Sequence, residues 1–184
     1  MWRVQALPSD ADLVTMATYG KKSELEALFE THRAQMEQKI NTAVNEYGST
    51  MLIRAAVYGH TDTVKMLVEH KANIDSQDED GWTALMYAAR YGHTDIVKML
   101  VEHKANVDSQ NKDGWTALMR AAEYGHTAVV KILVAVGCNT QIKDNWGRTA
   151  LDIAKQFGKM YLVTYLQEQK QVPPHRTDNR YERP

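Results

Sequence analysis

Short apolar stretches alternate with polar turns along the chain, and the alternation repeats every 33 residues. In the best-defined copy, a polar stretch ending in Gly81-Trp82-Thr83 precedes an apolar segment over 84–91. A second glycine turn follows, and then a segment whose buried stripe is Ile96, Val97, Leu100 and Val101. Because this stripe has helical spacing, the pattern predicts a unit of turn, helix, turn and helix.

Glycines and threonines mark the boundaries of each unit. The glycines form two columns, at 48, 81, 114 and 147 and at 59, 92, 125 and 158. Residues 45–77 and 78–110 are identical at 24 of 33 positions. Threonine after the first glycine is a favoured N-cap residue, so we predict caps at Thr50, Thr83, Thr116 and Thr149. A fixed period with such punctuation is typical of a stack of identical supersecondary units.

The repeat also divides the chain. We predict an N-terminal extension over 1–10, a repeat domain over 11–170 and a disordered tail over 171–184. Within the domain, a cap over 11–44 and a cap over 144–170 enclose full repeats over 45–77, 78–110 and 111–143. The first unit is longer than the others, and Ser23 with Glu26 has the spacing of a capping box. We therefore predict that its second helix is lengthened by a turn or more.

Residues 80–93, Asp-Gly-Trp-Thr-Ala-Leu-Met-Tyr-Ala-Ala-Arg-Tyr-Gly-His, resemble the ankyrin repeat pattern, and the resemblance extends over about 47–166. It implies an all-α ankyrin-repeat solenoid of helix-turn-helix units with β-hairpin-like turns. The family's proline at the first helical position is replaced, as by Ala84, which is a good helix former. Where the family has glycine after the second helix, this chain has Lys71 and Lys104, and we predict that both have positive φ.

Composition narrows the classes of partner. A net charge of -1 gives no excess positive potential for a nucleic-acid backbone or an anionic membrane, so we predict neither as a partner. No apolar run approaches the roughly 18 residues that span a bilayer. The single cysteine, Cys138, has no internal disulfide partner. We expect a monomeric protein of the cytoplasm, or of cytoplasm and nucleus.

The sequence offers no catalytic, cofactor-binding or metal-ligating set, and we predict that the protein is not an enzyme. Histidines recur in columns, as at His60, His93 and His126. Packed repeats lie about 8 to 10 Å apart, so these side chains cannot converge on one zinc ion. We interpret them as polar ties at the turn between the two helices. Cys138 replaces the alanine of neighbouring repeats and is interpreted as a small buried filler.

The turns and first helices differ most between the first two repeats, and in ankyrin stacks these segments line the concave groove that holds partners. The resemblance implies exposed side chains for Trp82 and Trp115, which follow the turn glycine. An aromatic column runs through Tyr58, Tyr91, Tyr124 and Phe157, with Tyr19 in the first unit, and it fits either a packing ladder or a binding surface. The candidate protein-binding residues are Arg54, Tyr58, Trp82, Tyr87, Arg90, Tyr91, Trp115, Arg120, Glu123 and Tyr124.

Two functions remain open on these patterns. The first is a non-catalytic protein–protein interaction module that binds a protein or peptide on its concave face, as an adaptor or inhibitor. The second is a structural spacer or self-associating scaffold that uses the long first-unit helix or the C-terminal tail. The charges of the predicted binding face are mixed, which argues against an anionic ligand.

Overall fold

A computed structural model describes residues 7–42 and 44–171. Most of the predicted N-terminal extension and nearly all of the predicted tail lie outside the described residues. The described part of the chain is helical and contains no extended β-strand, only two isolated antiparallel bridges, Val44 with Thr50 and Gln77 with Thr83. The predicted all-α ankyrin-type architecture is therefore confirmed.

Eleven helices follow one another in the described ranges. They are α1 (Asp10–Thr18), α2 (Lys22–Thr31), α3 (Arg33–Thr42), α4 (Met51–Val57), α5 (Thr61–Glu69), α6 (Ala84–Tyr91), α7 (Thr94–Glu102), α8 (Ala117–Tyr124), α9 (Thr127–Ala135), α10 (Ala150–Gln156) and α11 (Met160–Gln171). Each unit contributes a first helix (α1, α4, α6, α8 and α10) and a second helix that returns beside it.

The threonine caps lie where the sequence predicts them. Thr83 Oγ1 accepts a hydrogen bond from the Met86 backbone N–H at 3.3 Å. Thr50, Thr116 and Thr149 cap α4, α8 and α10 in the same way. Because each cap satisfies a backbone donor that the helix leaves unpaired, it fixes where the first helix begins.

The core runs along the stack. The first helices pack in the order α1, α4, α6, α8 and α10, and the second helices in the order α2, α5, α7 and α9. Small side chains bring the first helices close together, because the pairs Ala55–Ala56, Ala88–Ala89 and Ala121–Ala122 are fully buried. In α7, Ile96, Val97 and Leu100 are buried while Lys98 is exposed, so the predicted stripe faces the core.

The turns before the first helices form four projections, here called fingers, over 44–50, 77–83, 110–116 and 143–149. Each begins with an Asx turn: Asn111 Oδ1, for example, accepts from the backbone N–H groups of Asp113 and Trp115 at 3.1 and 2.8 Å. Neighbouring fingers are also joined, since the N–H of Asn145 donates to the Asp113 carbonyl at 3.0 Å. The fingers are therefore held in register with one another.

The prediction of one long second helix in the first unit is wrong. The chain breaks at His32, whose φ is -131°, and continues as two helices of ten residues, α2 and α3. The break lets both helices face the core, since Phe29 of α2 and Met36 of α3 are both buried. An ion pair between Lys39 and Asp10 joins α3 to α1.

The predicted capping box at Ser23 is also wrong. Helix α2 begins at Lys22 with Lys21 as its N-cap residue, and the N-cap makes no side-chain hydrogen bond. Second helices in the other units likewise start two residues after the glycine of the turn, as α5 does after Gly59. The glycine turn therefore sets the start of α2. The capping box of this unit is formed by Ser9 and Asp12 at the N-terminus of α1.

Lys71 and Lys104 have positive φ, at 65° and 68°, as predicted from the glycine that the family carries there. A side chain in this region is strained, by about 1 kcal/mol relative to glycine. We expect Lys71→Gly and Lys104→Gly each to raise the free energy of unfolding by about 1 kcal/mol, measured by thermal and urea denaturation. Gly137→Lys, at the equivalent place with φ 85°, is the reciprocal control and should lower it. A fall in stability for either glycine variant would contradict this explanation.

Candidate functional site

The ten candidate residues lie on α4, α6 and α8, at the C-cap of α4 (Tyr58) or on the fingers before these helices, and the structure separates them into two groups. One group is packed at the base of the fingers and consists of Trp82, Tyr87, Trp115, Arg120 and Glu123. The other lies half-buried or exposed near the C-terminal ends of the first helices and consists of Arg54, Tyr58, Arg90, Tyr91 and Tyr124.

Trp82 and Trp115 are buried, so the expectation that they are exposed is wrong. Their side chains are 8 and 6 % exposed. The guanidinium carbon of Arg120 lies 4.2 Å from the centre of the Trp82 ring and 3.8 Å from that of Trp115. Tyr87 also stacks against Trp82, with ring centres 4.7 Å apart. Arg120 therefore covers both the tryptophan of its own unit, Trp115, and that of the preceding unit, Trp82.

Arg120 is the centre of this cluster. It donates a hydrogen bond to the Glu123 carboxylate at 3.1 Å, and both side chains are largely buried. Burial lowers the pKa of the Arg120 guanidinium from its ordinary value, against the opposing effect of Glu123. Because the ordinary pKa of arginine is very high, Arg120 stays protonated, and as a cation it interacts with the indole rings of both Trp82 and Trp115. Arg120, Glu123 and the two tryptophans therefore pack together and stabilise the bases of the fingers.

Tyr87 is tied to the finger of its own unit. Its hydroxyl donates to Asp78 Oδ2 at 2.8 Å. Burial and this hydrogen bond raise the pKa of the Tyr87 phenol well above its ordinary range. Tyr87 is therefore a neutral donor that links the first helix to the Asx turn.

Two further members of this cluster, Arg148 and Trp146, are absent from the predicted site residues. The Arg148 guanidinium carbon lies 5.5 Å from the Trp115 ring centre and 5.2 Å from that of Trp146. Alternating aromatic rings and arginines thus continue across the last three fingers, a cluster here called the Trp–Arg stack: Tyr87, Trp82, Arg120, Trp115, Arg148 and Trp146. The repeat register could have indicated Arg148, because it occupies the place of Trp82 and Trp115 in its unit.

Asp144 connects this stack to the backbone of the last finger. Its Oδ1 accepts from the N–H groups of Trp146 and Arg148, and its Oδ2 pairs with the Arg148 guanidinium at 2.7 Å. Burial acts to raise the pKa of the Asp144 carboxyl, but the hydrogen bonds and charge of Arg148 outweigh burial and lower it.

The lowered pKa of Asp144 predicts a dependence of stability on pH. A carboxyl whose pKa is lower in the folded state contributes stability above its unfolded pKa, about 3.9, and loses it as pH falls through the folded value. Asp144→Asn keeps the Asx turn, as Asn111 does, but removes the ion pair. We expect it to lower the free energy of unfolding at pH 7 by about 1.5 kcal/mol and to differ less from wild type below about pH 4.

Urea denaturation between pH 7 and pH 3 measures this difference. Asp113→Asn, on the neighbouring finger, is the matched control, because Asp113 is exposed and forms no ion pair with the described residues. A gap between wild type and Asp144→Asn that stays constant from pH 7 to pH 3 would show that the charge of Asp144 is not responsible.

The aromatic column lies at the C-terminal ends of the first helices and is largely exposed. Tyr58, Tyr91 and Tyr124 are 51, 48 and 44 % exposed, and Tyr19 and Phe157 extend the column in both directions. Each of the three central rings lies 6.1 to 6.4 Å from the histidine two residues later. Arg90 joins two units here, because its guanidinium carbon lies 5.6 Å from the ring centres of both Tyr91 and Tyr124. The rings thus have fixed neighbours, while about half of each side chain remains exposed.

A family model described as ankyrin repeats, in three copies, matches residues 13–111 and 103–178. This chain belongs to the ankyrin-repeat family. Ankyrin repeats are generally protein–protein interaction modules, and the fold is typically non-catalytic. Among the curated proteins compared with it, none matches the chain.

The column histidines tie the ankyrin units to one another. The ring Nε2 of His126 is 2.9 Å from the Arg90 carbonyl of the preceding unit, and His60 and His93 make the same contact to Thr18 and Val57. We assign the proton to Nε2, because a carbonyl only accepts. Over 7–42 and 44–171, no three histidine, cysteine or acidic side chains are grouped so that they could hold a metal ion.

Cys138 is buried at the end of the third ankyrin repeat. Burial, together with the nearby charge of Asp108, raises the pKa of its thiol to about 12. A thiol with so high a pKa is almost entirely protonated at neutral pH, so Cys138 is a filler of the core rather than a nucleophile. Among the helices of the described residues, none is long and apolar enough to cross a membrane.

Proposed function

We propose that this ankyrin-repeat chain is a non-catalytic interaction module that captures a segment of a protein partner on its concave face. The capture surface consists of the first-helix side chains Arg54, Tyr58, Arg90, Tyr91 and Tyr124. The module acts as an adaptor or inhibitor by occupying a surface of its partner, and carries out no chemistry itself. The Trp–Arg stack supports this surface from the finger bases.

The observation that carries the proposal is the half-exposed aromatic column. Tyrosine is enriched at binding hot spots, because it offers a large contact area and a hydroxyl and has few rotatable bonds. In this chain each of the three rings already lies beside a histidine and an arginine. A partner that covers them therefore orders little that was mobile before binding, which lowers the entropic cost of association.

Self-association through the first unit receives less support. The predicted long helix is divided into α2 and α3, and most exposed side chains of α3 are polar, among them Arg33, Gln35 and Glu37. The predicted tail lies almost wholly outside the described residues. The first function is therefore the one that we propose.

Affinity capture from the source cell tests the proposal with the full chain as bait. The triple variant Tyr58→Ala, Tyr91→Ala and Tyr124→Ala should bind the captured partner about 100-fold more weakly than wild type, as three hot-spot truncations predict. Met160→Ala with Tyr161→Ala is the matched control, since it removes two exposed apolar side chains from α11. Thermal denaturation checks that every variant is folded. Equal capture by wild type and the triple variant would place the site elsewhere.

A further inference from the structure

The mixed charges of the capture surface are not equally available to a partner. Glu123 is neutralised within the protein by Arg120, and the two side chains are only 16 and 13 % exposed. Arg148, on the last finger, is likewise paired with Asp144. In contrast, no carboxylate of the described residues forms an ion pair with Arg54 or Arg90. On α4, α6 and α8 the charge that remains available to a partner is therefore positive.

Both of these arginines are held by polar or aromatic groups that leave their charge intact. Arg54 donates from Nε to the Thr18 hydroxyl at 3.2 Å and from a terminal nitrogen to the Tyr58 hydroxyl at 3.0 Å. Arg90 lies 5.4 to 5.6 Å from the ring centres of Trp82, Tyr91 and Tyr124. A guanidinium has five N–H donors, so each keeps donors for a ligand.

The two arginines are also pre-oriented. Both are half-buried against the aromatic column, and a guanidinium fixed by stacking loses little freedom when it binds a carboxylate with two parallel hydrogen bonds. The nearby tyrosine hydroxyls add donors on either side. Unpaired cations of this kind, partly removed from water and beside exposed rings, favour an anionic group with an apolar neighbour.

We propose that the partner segment is an acidic peptide, in which Asp or Glu carboxylates bind Arg54 and Arg90 while neighbouring apolar side chains cover Tyr58, Tyr91 and Tyr124. This inference rests on the proposed function. The Arg54 guanidinium lies between the first and second units, where it contacts Thr18 and Tyr58. The Arg90 guanidinium lies between the third and fourth units, beside Tyr91 and Tyr124. Units stack about 10 Å apart, so the two sites are separated by roughly 20 Å, which an extended chain covers in about six residues.

The charges on the fingers also favour one orientation of the two sides of such a segment. The exposed acids of the fingers, which outnumber the exposed lysines there, would repel its carboxylates. The acids are Glu46, Glu79, Asp80 and Asp113, and the lysines are Lys112 and Lys143. The acidic side of the peptide is therefore directed onto the first helices, and its less charged side faces the fingers. Complementary and repulsive charges together set the register of a bound segment.

Selection from a displayed library of unbiased peptides tests the inference, with the full chain and with its Arg54→Gln, Arg90→Gln variant as parallel targets. Wild type should enrich sequences that carry two acidic residues about six positions apart. Synthetic peptides from that pool should bind the double variant at least about tenfold more weakly, measured by fluorescence anisotropy. Their Gln-for-Glu versions should show the same loss on wild type.

Arg33→Gln with Lys65→Gln is the matched control, because it removes the same two charges from exposed positions on α3 and α5. It should leave peptide binding unchanged. Enrichment of neutral or basic sequences, or equal binding to wild type and the Arg54/Arg90 double variant, would overturn the inference. If neutral sequences are selected and lose affinity for the tyrosine triple variant, the proposed function stands without the acidic partner. If no sequence is enriched, or selected peptides bind the triple variant normally, the proposed function fails as well.

Discussion

Replacing Trp115 with alanine lowers the free energy of unfolding by about 4 kcal/mol, the largest effect that we expect from a single substitution in this protein. The indole is 6 % exposed, and it is covered by Arg120 at 3.8 Å and by Arg148 at 5.5 Å. Its removal leaves a cavity and also exposes one face of the partly desolvated Arg120. Urea denaturation followed by far-ultraviolet circular dichroism measures the change without depending on tryptophan emission.

Trp146→Ala is the matched control for that substitution. Trp146 lies on the next finger and contacts the same Arg148, yet it is 65 % exposed. Its replacement should change the free energy of unfolding by less than about 0.5 kcal/mol, as surface substitutions usually do. If Trp115→Ala is as stable as Trp146→Ala but loses its protein partner, then the indole is a contact residue and the sequence-based expectation for Trp115 is restored.

The same burial decides how the binding surface should be tested. If Trp82 and Trp115 were exposed, as their place in the repeat suggests, alanine at both positions would be the natural test. Because both rings are buried, loss of binding in that double variant would not distinguish a lost contact from a destabilised fold. Tyr58, Tyr91 and Tyr124 are better positions, since about half of each side chain is exposed.

The local rules of the repeat are predictable from sequence because each depends on a few neighbouring residues. Thr83 caps its helix through a backbone group three residues later, and Lys104 has positive φ because it ends a helix where glycine is usual. Neither depends on what the next unit places nearby. Because the sequence repeats, the same caps and turns recur in each unit. The amino-acid pattern alone therefore predicts the architecture.

The features that were predicted wrongly depend on contacts between units or on the absence of a local signal. Whether Trp115 is exposed is decided by Arg120, which lies on the first helix of the same unit, and by Arg148, which reaches it from the next unit. The break at His32 follows neither a glycine nor a proline, so the helical pattern runs through it unmarked. Sequence position within a repeat therefore identifies the residues near the site, but not which of them faces solvent.

Gly114→Ala should lower the free energy of unfolding by about 3 kcal/mol, the second largest expected effect. A Cβ at this position would lie 2.9 Å from the backbone nitrogen of Asn145 and 3.0 Å from the Asp144 Cα on the next finger. These are backbone atoms held by the Asx turn of Asp144, so they cannot move aside as a flexible side chain would. Forcing an atom into a packed contact costs about 1 to 3 kcal/mol, and the positive φ of 79° adds about 1 kcal/mol.

Gly147→Ala separates these two contributions. Gly147 has nearly the same φ, 77°, but an added Cβ there meets nothing within 4 Å because no further finger packs against it in the described part of the chain. Its replacement should therefore lower the free energy of unfolding only by the cost of a side chain at positive φ, about 1 kcal/mol. The remaining difference, about 2 kcal/mol by thermal or urea denaturation, measures how tightly adjacent fingers pack. Equal losses at the two glycines would mean that the fingers can separate freely, and the hydrogen bond from Asn145 to Asp113 would then contribute little to the rigidity of the surface.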